Sequence, residues 1–356
     1  MSHTGTPQSP LRRRRLRPSL RYVGLLVGVL LVAGLVVFAV SRLNLHRVGH
    51  ALVNASPGWI ALALLLMALS MVLRSVCWQQ ILRAALPRTP IPWKTVLRAT
   101  MIGVMASAVF PGRVGEPTRV VVVARRLEGP TKRLLAVIAG TVFSQTLINL
   151  IALAVLAAVT FSSVSLFHGH EAGLAGALAV PALIGVLVLA GPSLLRLGQR
   201  SRFDRVRRTA SLLTRLLQLA RSGLAMFTRP SHGVPAVAAQ LGAWALQWAS
   251  CYMVVLALGL QNKATLATAA AVLLAVNVTA VLPATPSNVG VFQAACLVVL
   301  AAFGVGAGAA VAYGIILQAV EVVTALGLGV PALLAEGLTW KDIRTAPQEA
   351  EEDIAS

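Results

Sequence analysis

The sequence predicts an all-α polytopic membrane protein with about six full transmembrane helices, two broken-helix hairpins and both termini on the cytoplasmic side. Three observations predict it. Of the 356 residues, 57% are hydrophobic and 12% charged, with a mean hydropathy of +0.80, whereas a soluble domain carries roughly 25% charge. The apolar residues fall in runs long enough to cross a bilayer. The basic residues, which give a net charge of +20, sit in the gaps between those runs. Cytoplasmic loops rich in Lys and Arg account for that distribution, so no nucleic-acid partner is expected.

Residues 1–20 read as a basic tail, expected to be disordered, with arginines at 12–15 and 17. Tyr22 to Val40 is long enough to span. No small-residue cleavage site follows it before Arg42, which makes it an uncleaved first span rather than a signal peptide. The arginine cluster beside it suits anionic head groups. A second span covers Trp59 to Ile81. Arg74 lies toward its cytoplasmic end and shares a helix face with Trp78. Snorkelling to the interface is the simpler expectation for that arginine, and a substrate contact the sharper one.

Residues 83–133 hold Arg83, Arg88, Lys94, Arg98, Arg113, Arg119, Arg125, Arg126, Lys132 and Arg133. Within them Phe110-Pro-Gly-Arg-Val-Gly-Glu-Pro-Thr-Arg119 interrupts an apolar segment. Its two prolines and two glycines stop a continuous helix. Its charges are tolerated at membrane depth only against other protein or a wet cavity. The arms, about 95–110 and 117–124, are too short to span and have basic flanks. A re-entrant hairpin dipping in from the cytoplasm is expected, with Pro117 opening its second arm.

Leu134 to Phe161 crosses outward to a loop without Lys or Arg, whose His168 and His170 read as solvated. Leu174 to Leu195 crosses back. Residues 196–230 follow as a basic amphipathic helix on the inner leaflet, with a calmodulin-like or nucleic-acid partner as the weaker alternative. Val234 to Leu260 crosses outward carrying Gln240, Trp244, Gln247 and Trp248. A second break, Leu282-Pro-Ala-Thr-Pro-Ser-Asn-Val-Gly290, lies between arms 265–282 and 289–304 and would enter from outside. The last span, Ala309 to Leu334, carries Gln318 and Glu321. The division is thus a tail at 1–20, a membrane domain at 21–335 and a cytoplasmic tail at 336–356. If both arms of the second break cross fully, eight spans result with the termini unchanged. Cys77, Cys251 and Cys296 lie in apolar runs without metal-ligand spacing and read as buried.

The two breaks resemble each other: Ala108-Val-Phe-Pro111 with Val114-Gly115, and Ala280-Val-Leu-Pro283 with Val289-Gly290. Paired interrupted segments are the pattern of transporters with inverted repeats. In those, half-helix N-termini face an anionic ligand near the midplane.

Through Pro111-Gly-Arg-Val-Gly-Glu116 with Arg119, Leu73-Arg74 with Trp78, and Pro283, Pro286 and Gly290, the chain resembles the lysylphosphatidylglycerol synthase transmembrane-region family of flippase-like proteins. The resemblance covers most of residues 20–335. It implies an integral protein of the cell (plasma) membrane that moves a phospholipid, or another anionic or aminoacylated lipid, between leaflets. In bifunctional relatives a soluble aminoacyltransferase domain follows. Here about twenty residues follow the last span, so lipid synthesis is not expected. Relatives tend to carry a Glu, a basic residue and an Asp where this chain has Gln145-Thr-Leu-Ile-Asn149, and Gly-Val-x-Glu where it has Gly290-Val-Phe-Gln293. Amides keep hydrogen bonding and lose titration, which leaves Glu116 and Glu321 as the acids.

On this reading Arg113 and Arg119 clamp a phosphate with their planar forks of donors. Glu116 holds them or meets a cationic head group. Gln145, Asn149, Thr285, Asn288 and Gln293 line the polar path, with Glu321 and Arg74 beside it. The competing expectation is that Arg113, Glu116 and Arg119 form a buried ion network that only fixes the hairpin. No nucleophile–base set, metalloprotease motif or phosphate-cradling loop is present. No catalytic activity, cofactor or metal is therefore expected, and with no ATP-binding motif any transport is expected to be scrambling or driven by a gradient or by chemistry at another protein. A lipid-modifying membrane enzyme, or a non-transporting accessory protein acting through residues 196–229, are the alternatives. Lipids with anionic head groups are the expected partners, and a homo-oligomer or a partner membrane protein is left open.

Overall fold

The computed structural model describes residues 45–109, 114–127, 132–163, 229–279 and 288–338. Several expectations fall outside them: the tail at 1–20, the first span, the loop with His168 and His170, the span 174–195, the amphipathic segment, the acidic tail, and Arg113 and Thr285. The helices are α1 (Leu45–Val53), α2 (Pro57–Ala85), α3 (Trp93–Val109), α4 (Gly115–Arg126), α5 (Lys132–Ser163), α6 (Pro230–Ala257), α7 (Leu266–Thr279), α8 (Val291–Ala302) and α9 (Ala307–Glu336). There is no strand among the described residues.

Lipid offers the backbone no hydrogen-bond partners, so apolar segments of this length satisfy themselves as helices. Among the described residues, three helices are both long and apolar enough to cross a membrane: α2, α5 over Leu134–Ser162, and α9. Helix α6 matches them in length at 28 residues, with a more polar composition set by His232, Gln240 and Gln247. Pro57 and Pro230 open α2 and α6, where a missing N–H costs nothing. Gly337, at φ 67°, closes α9 in the left-handed conformation. The long helices run two to four residues beyond their expected bounds at most ends, because polar residues such as Ser56 and Glu336 continue or flank them as well as apolar ones do.

Helix α3 ends at Val109 and α4 begins at Gly115, so the helix breaks where proline and glycine dictate. Pro117 lies inside the first turn of α4 rather than opening it. The amide of Gly115 already has no helical partner there, so the helix begins two residues earlier than expected. The two arms then fold back on each other through glycine. A Cβ on Gly103 would come within 2.8 Å of the Gly115 carbonyl oxygen, and a Cβ on Gly115 would overlap the Gly103 carbonyl. Arg98, near the start of α3, and Arg126, the last residue of α4, both reach Glu336 at the end of α9. The open ends of this hairpin therefore lie at the C-terminal end of α9.

Helices α7 and α8 pack together as a second pair. Lys263 Nζ donates to the Gly304 carbonyl at 2.9 Å, tying the residues before α7 to those after α8. At the same end, the Ser56 amide before α2 donates to the Ala257 carbonyl at the end of α6 at 2.8 Å. The α7–α8 pair thus has its open ends at the opposite end of the bundle from the α3–α4 pair.

Helix α9 is the wall both pairs share. Gly329 lies against the Met105 side chain of α3, and a Cβ on Gly314 would sit 3.1 Å from Gln293 Cα of α8. Helices α2 and α6 form the most extensive pair, with Gly242 against Leu73 and Ser250 Oγ donating to the Ala63 carbonyl at 2.9 Å. Trp78, Tyr313, Met67, Met105 and Leu273 are fully buried between these layers. Cys77, Cys251 and Cys296 are buried free thiols.

Candidate functional site

The polar side chains inside this bundle are not scattered. Arg74, Gln145, Asn149, Gln240, Gln247, Gln318 and Glu321 all fall in the middle third of their helices. Arg119 lies one turn into α4 and Gln293 is the third residue of α8. Each hairpin therefore delivers one polar side chain from beside its break to the level where the long helices carry theirs.

Three helices meet at Arg119. Its Nη1 donates to Gln145 Oε1 of α5 at 2.8 Å, and its Nη2 pairs with Glu116, one turn back on α4. Its guanidinium stacks over Trp78 of α2, 4.9 Å from the ring centroid. Trp78 is held in turn by Nε1 donating to Thr141 Oγ1 at 3.1 Å. The Arg119 side chain is 11% exposed, whereas Glu116 is 47% exposed. The arginine is thus a fixed feature of the interior and the carboxylate faces outward from it.

Gln145 links this arginine to the next. Its Nε2 donates to the Arg74 carbonyl at 3.0 Å. The Arg74 side chain turns toward α6, where Nη2 donates to Gln247 Oε1 at 2.6 Å. Arg74 also lies within electrostatic reach of Glu321, Arg119 and Glu116. The expectation that Arg74 snorkels to the interface is corrected here. Its donor is spent on a side chain in the bundle, because Gln247 offers an acceptor nearer than the helix end. Two arginines and two carboxylates thus share one neighbourhood. Such neutrality lowers a burial cost of about 2.5–3.5 kcal/mol per isolated charge.

The Nε atoms of Arg74 and Arg119 are buried without a hydrogen-bond partner, as are Gln240 Oε1 and Thr324 Oγ1. Buried polar groups normally find partners. Each arginine thus carries one buried donor that its hydrogen bonds leave unused.

The amides extend this set toward both hairpins. Asn149, one turn beyond Gln145, accepts from Gln240 Nε2 at 2.8 Å and from Trp244 Nε1 at 2.9 Å. Gln293 donates to Gln318, one turn from Glu321 on α9, while its Oε1 accepts the Gly290 amide at 2.7 Å. Asn288 and Gly290 take left-handed backbone angles, with φ of 52° and 89°. Glycine takes them freely and asparagine at small cost, so the chain can turn into α8.

The structure therefore brings Arg74, Glu116, Arg119 and Gln145 together, with Glu321 in electrostatic range of Arg74. Asn149 sits beside them, and Gln293 joins through Gln318. Asn288 stays at the turn before α8. No three of the described His, Cys, Asp and Glu residues gather as a metal set. Sequence reasoning missed the Arg74–Gln247 pair, the Trp78 stack, the Gln318 partner and the Glu336 tie. The first three carried a signal: a polar or aromatic residue on the same face of a span as an expected site residue. Glu336 had none, since it follows the last apolar residue like any interfacial acid.

The family model for the lysylphosphatidylglycerol synthase TM region matches residues 25–329. Comparison with curated proteins finds no match.

Proposed function

The chain belongs to the lysylphosphatidylglycerol synthase TM-region family, and we propose that it is a lipid translocase of the cell membrane. Its cargo would be a phospholipid or another anionic or aminoacylated lipid, moved between leaflets. The observation that carries this reading is the meeting of Arg119, from beside the first break, with Gln145 and Arg74 in the middle of long apolar helices. A polar centre at that level is costly unless it serves passage or is fully self-paired. The unpartnered Nε atoms favour passage.

In the proposed cycle the head group enters the polar centre while the acyl chains stay in lipid. Arg119 and Arg74 take the phosphate oxygens. Glu116, the more exposed acid, exchanges its hold on Arg119 for water or for a cationic part of the head group. Between passages Glu116 and Glu321 neutralise the two arginines, so the empty site carries no net charge. The hairpins are re-entrant, the first opening to the cytoplasm and the second to the outside. Helices α7 and α8, at 14 and 12 residues, span about 21 and 18 Å against a hydrocarbon core of roughly 30 Å. That favours six spans with two hairpins over eight spans. Transport is then scrambling or gradient-driven, and the protein itself does no chemistry on the lipid.

The test is lipid-resolved translocation in proteoliposomes holding the full chain, with labelled phosphatidylglycerol, its lysyl ester and phosphatidylcholine. The account expects faster transfer of the anionic or aminoacylated lipid than of phosphatidylcholine, reduced by Glu116→Gln. No acceleration of any of them would overturn it. Conversion of lipid by protein in detergent, where no leaflets exist, would instead mark an enzyme.

A further inference from the structure

At the end of the bundle marked by Glu336, the described residues border an open depression of about 460 Å³. It sits between the end of α2, the loop 86–92 and the start of α6. Arg83 and His232 line it with Pro87, Pro90, Ile91 and Pro92, and no carboxylate is among its lining residues.

Its walls are held in place from three directions. His232 Nδ1 hydrogen-bonds Gln80 Oε1 at 3.0 Å, which fixes the ring against α2. Gln79 Nε2 donates to the Ile91 carbonyl at 3.3 Å, anchoring the proline loop. Arg229 Nη1 donates to the Ala84 carbonyl at 3.3 Å, pinning the start of α6. Three prolines fix their own φ and supply no N–H, so recognition falls to the side chains of Arg83 and His232, with the Thr89 hydroxyl beside them. Arg83 is exposed and has no acid beside it in the lining. The nearest acid at this end of α9, Glu336, is already spent on Arg98 and Arg126.

We propose that this depression is a second site that binds a phosphate-bearing anion, with the head group of an anionic phospholipid as its source. Arg83 supplies the fork of donors, His232 a second polar contact, and Ile91 with the prolines an apolar wall for the glycerol. The depression lies at the ends of α2 and α6, and if those helices cross the membrane as proposed, a lipid head group comes within reach. The source of the anion rests on the membrane placement described above, but the site itself does not require that lipid be translocated.

The experiment measures binding, not transport. The full chain in phosphatidylcholine nanodiscs is titrated with short-chain phosphatidylglycerol, glycerol phosphate and inorganic phosphate, and read by native mass spectrometry. Native masses count the lipids held per chain, and the expected result is one fewer retained lipid for Arg83→Gln/His232→Gln than for wild type, with at least about tenfold weaker affinity at that step, as loss of a charge-assisted bond implies. Unchanged thermal unfolding of that variant shows that it folds. Arg119→Gln removes the lipid of the central site instead, so the double variant should lose one bound lipid on top of that loss, and an Arg119→Gln protein that loses every bound lipid would overturn the second site. Equal binding of inorganic phosphate and lipid, both lost in the double variant, would support the anion site and overturn the lipid as its source. Wild-type binding of all three by the double variant would overturn the proposal.

Discussion

The guanidinium of Arg119 lies 4.9 Å from the centroid of the Trp78 indole, which itself is fully buried. This contact joins the first hairpin to α2 and brings a cation against an aromatic face away from water. Such contacts reach about 2 kcal/mol when desolvated. Trp78→Leu loses the contact, the Nε1 bond to Thr141 and packing volume. It should destabilise the protein by about 3–5 kcal/mol. Trp78→Phe keeps a ring face and should cost about 1–2 kcal/mol. Thermal unfolding of the two variants in the same detergent checks the order.

Gln145 makes one bond as acceptor and one as donor, to Arg119 and to the Arg74 carbonyl. Gln145→Leu leaves Arg119 Nη1 without its acceptor and the Arg74 carbonyl with its helical bond alone, a loss of about 1–3 kcal/mol. Gln145→Glu restores an acceptor for Arg119 but cannot donate to the Arg74 carbonyl, so the predicted loss is smaller. Equal unfolding temperatures for the two variants would contradict this assignment.

Gly115 and Gly103 set the closeness of the first hairpin. Gly115→Ala puts a methyl into the Gly103 carbonyl and the Ser107 hydroxyl, so the arms must separate. The protein should lose its monodisperse peak in size-exclusion chromatography, or at least about 3 kcal/mol of stability. Gly327→Ala on α9 meets nothing within 4 Å. It should be neutral or stabilising by up to about 1 kcal/mol.

The helix ends at Val109 and Thr279 and the restarts at Gly115 and Val291 were legible because Pro and Gly act locally on the chain. Burial of the three cysteines was legible for the same reason, since each lies in an apolar run. The partners of the site residues were not. Arg74 reads alike whether it snorkels or turns to Gln247, since the choice depends on a helix 173 residues away. Helix ends were misread by a turn at most, because capping and interfacial residues carry no hydrophobic signal. Asn288 was expected to line the path, yet its left-handed backbone angle accounts for an asparagine there independently of any ligand.

Glu336 is 3% exposed and receives Arg98 at 3.2 Å and Arg126 at 2.7 Å, one from each arm of the first hairpin. Both arginines are partly solvated, which weakens each pair. Glu336→Gln should therefore lower stability by about 1–2 kcal/mol and raise proteolytic cleavage between the arms. Limited proteolysis of wild type and variant in nanodiscs would register the loosening. Identical digestion patterns would show that this carboxylate does not hold the hairpin closed.

The central claim is that the arginines at mid-bundle handle a head group and do more than brace the hairpin. Arg119→Lys keeps the charge but cannot hold Gln145 and Glu116 together or present a fork. The direct measurement is its translocation rate in proteoliposomes, beside an unfolding curve on the same preparation. The account predicts a folded protein, destabilised by about 1–2 kcal/mol through the lost bonds, with transfer of the anionic or aminoacylated lipid slowed at least about tenfold. Wild-type transfer by a folded Arg119→Lys protein would contradict it and leave the cluster a brace.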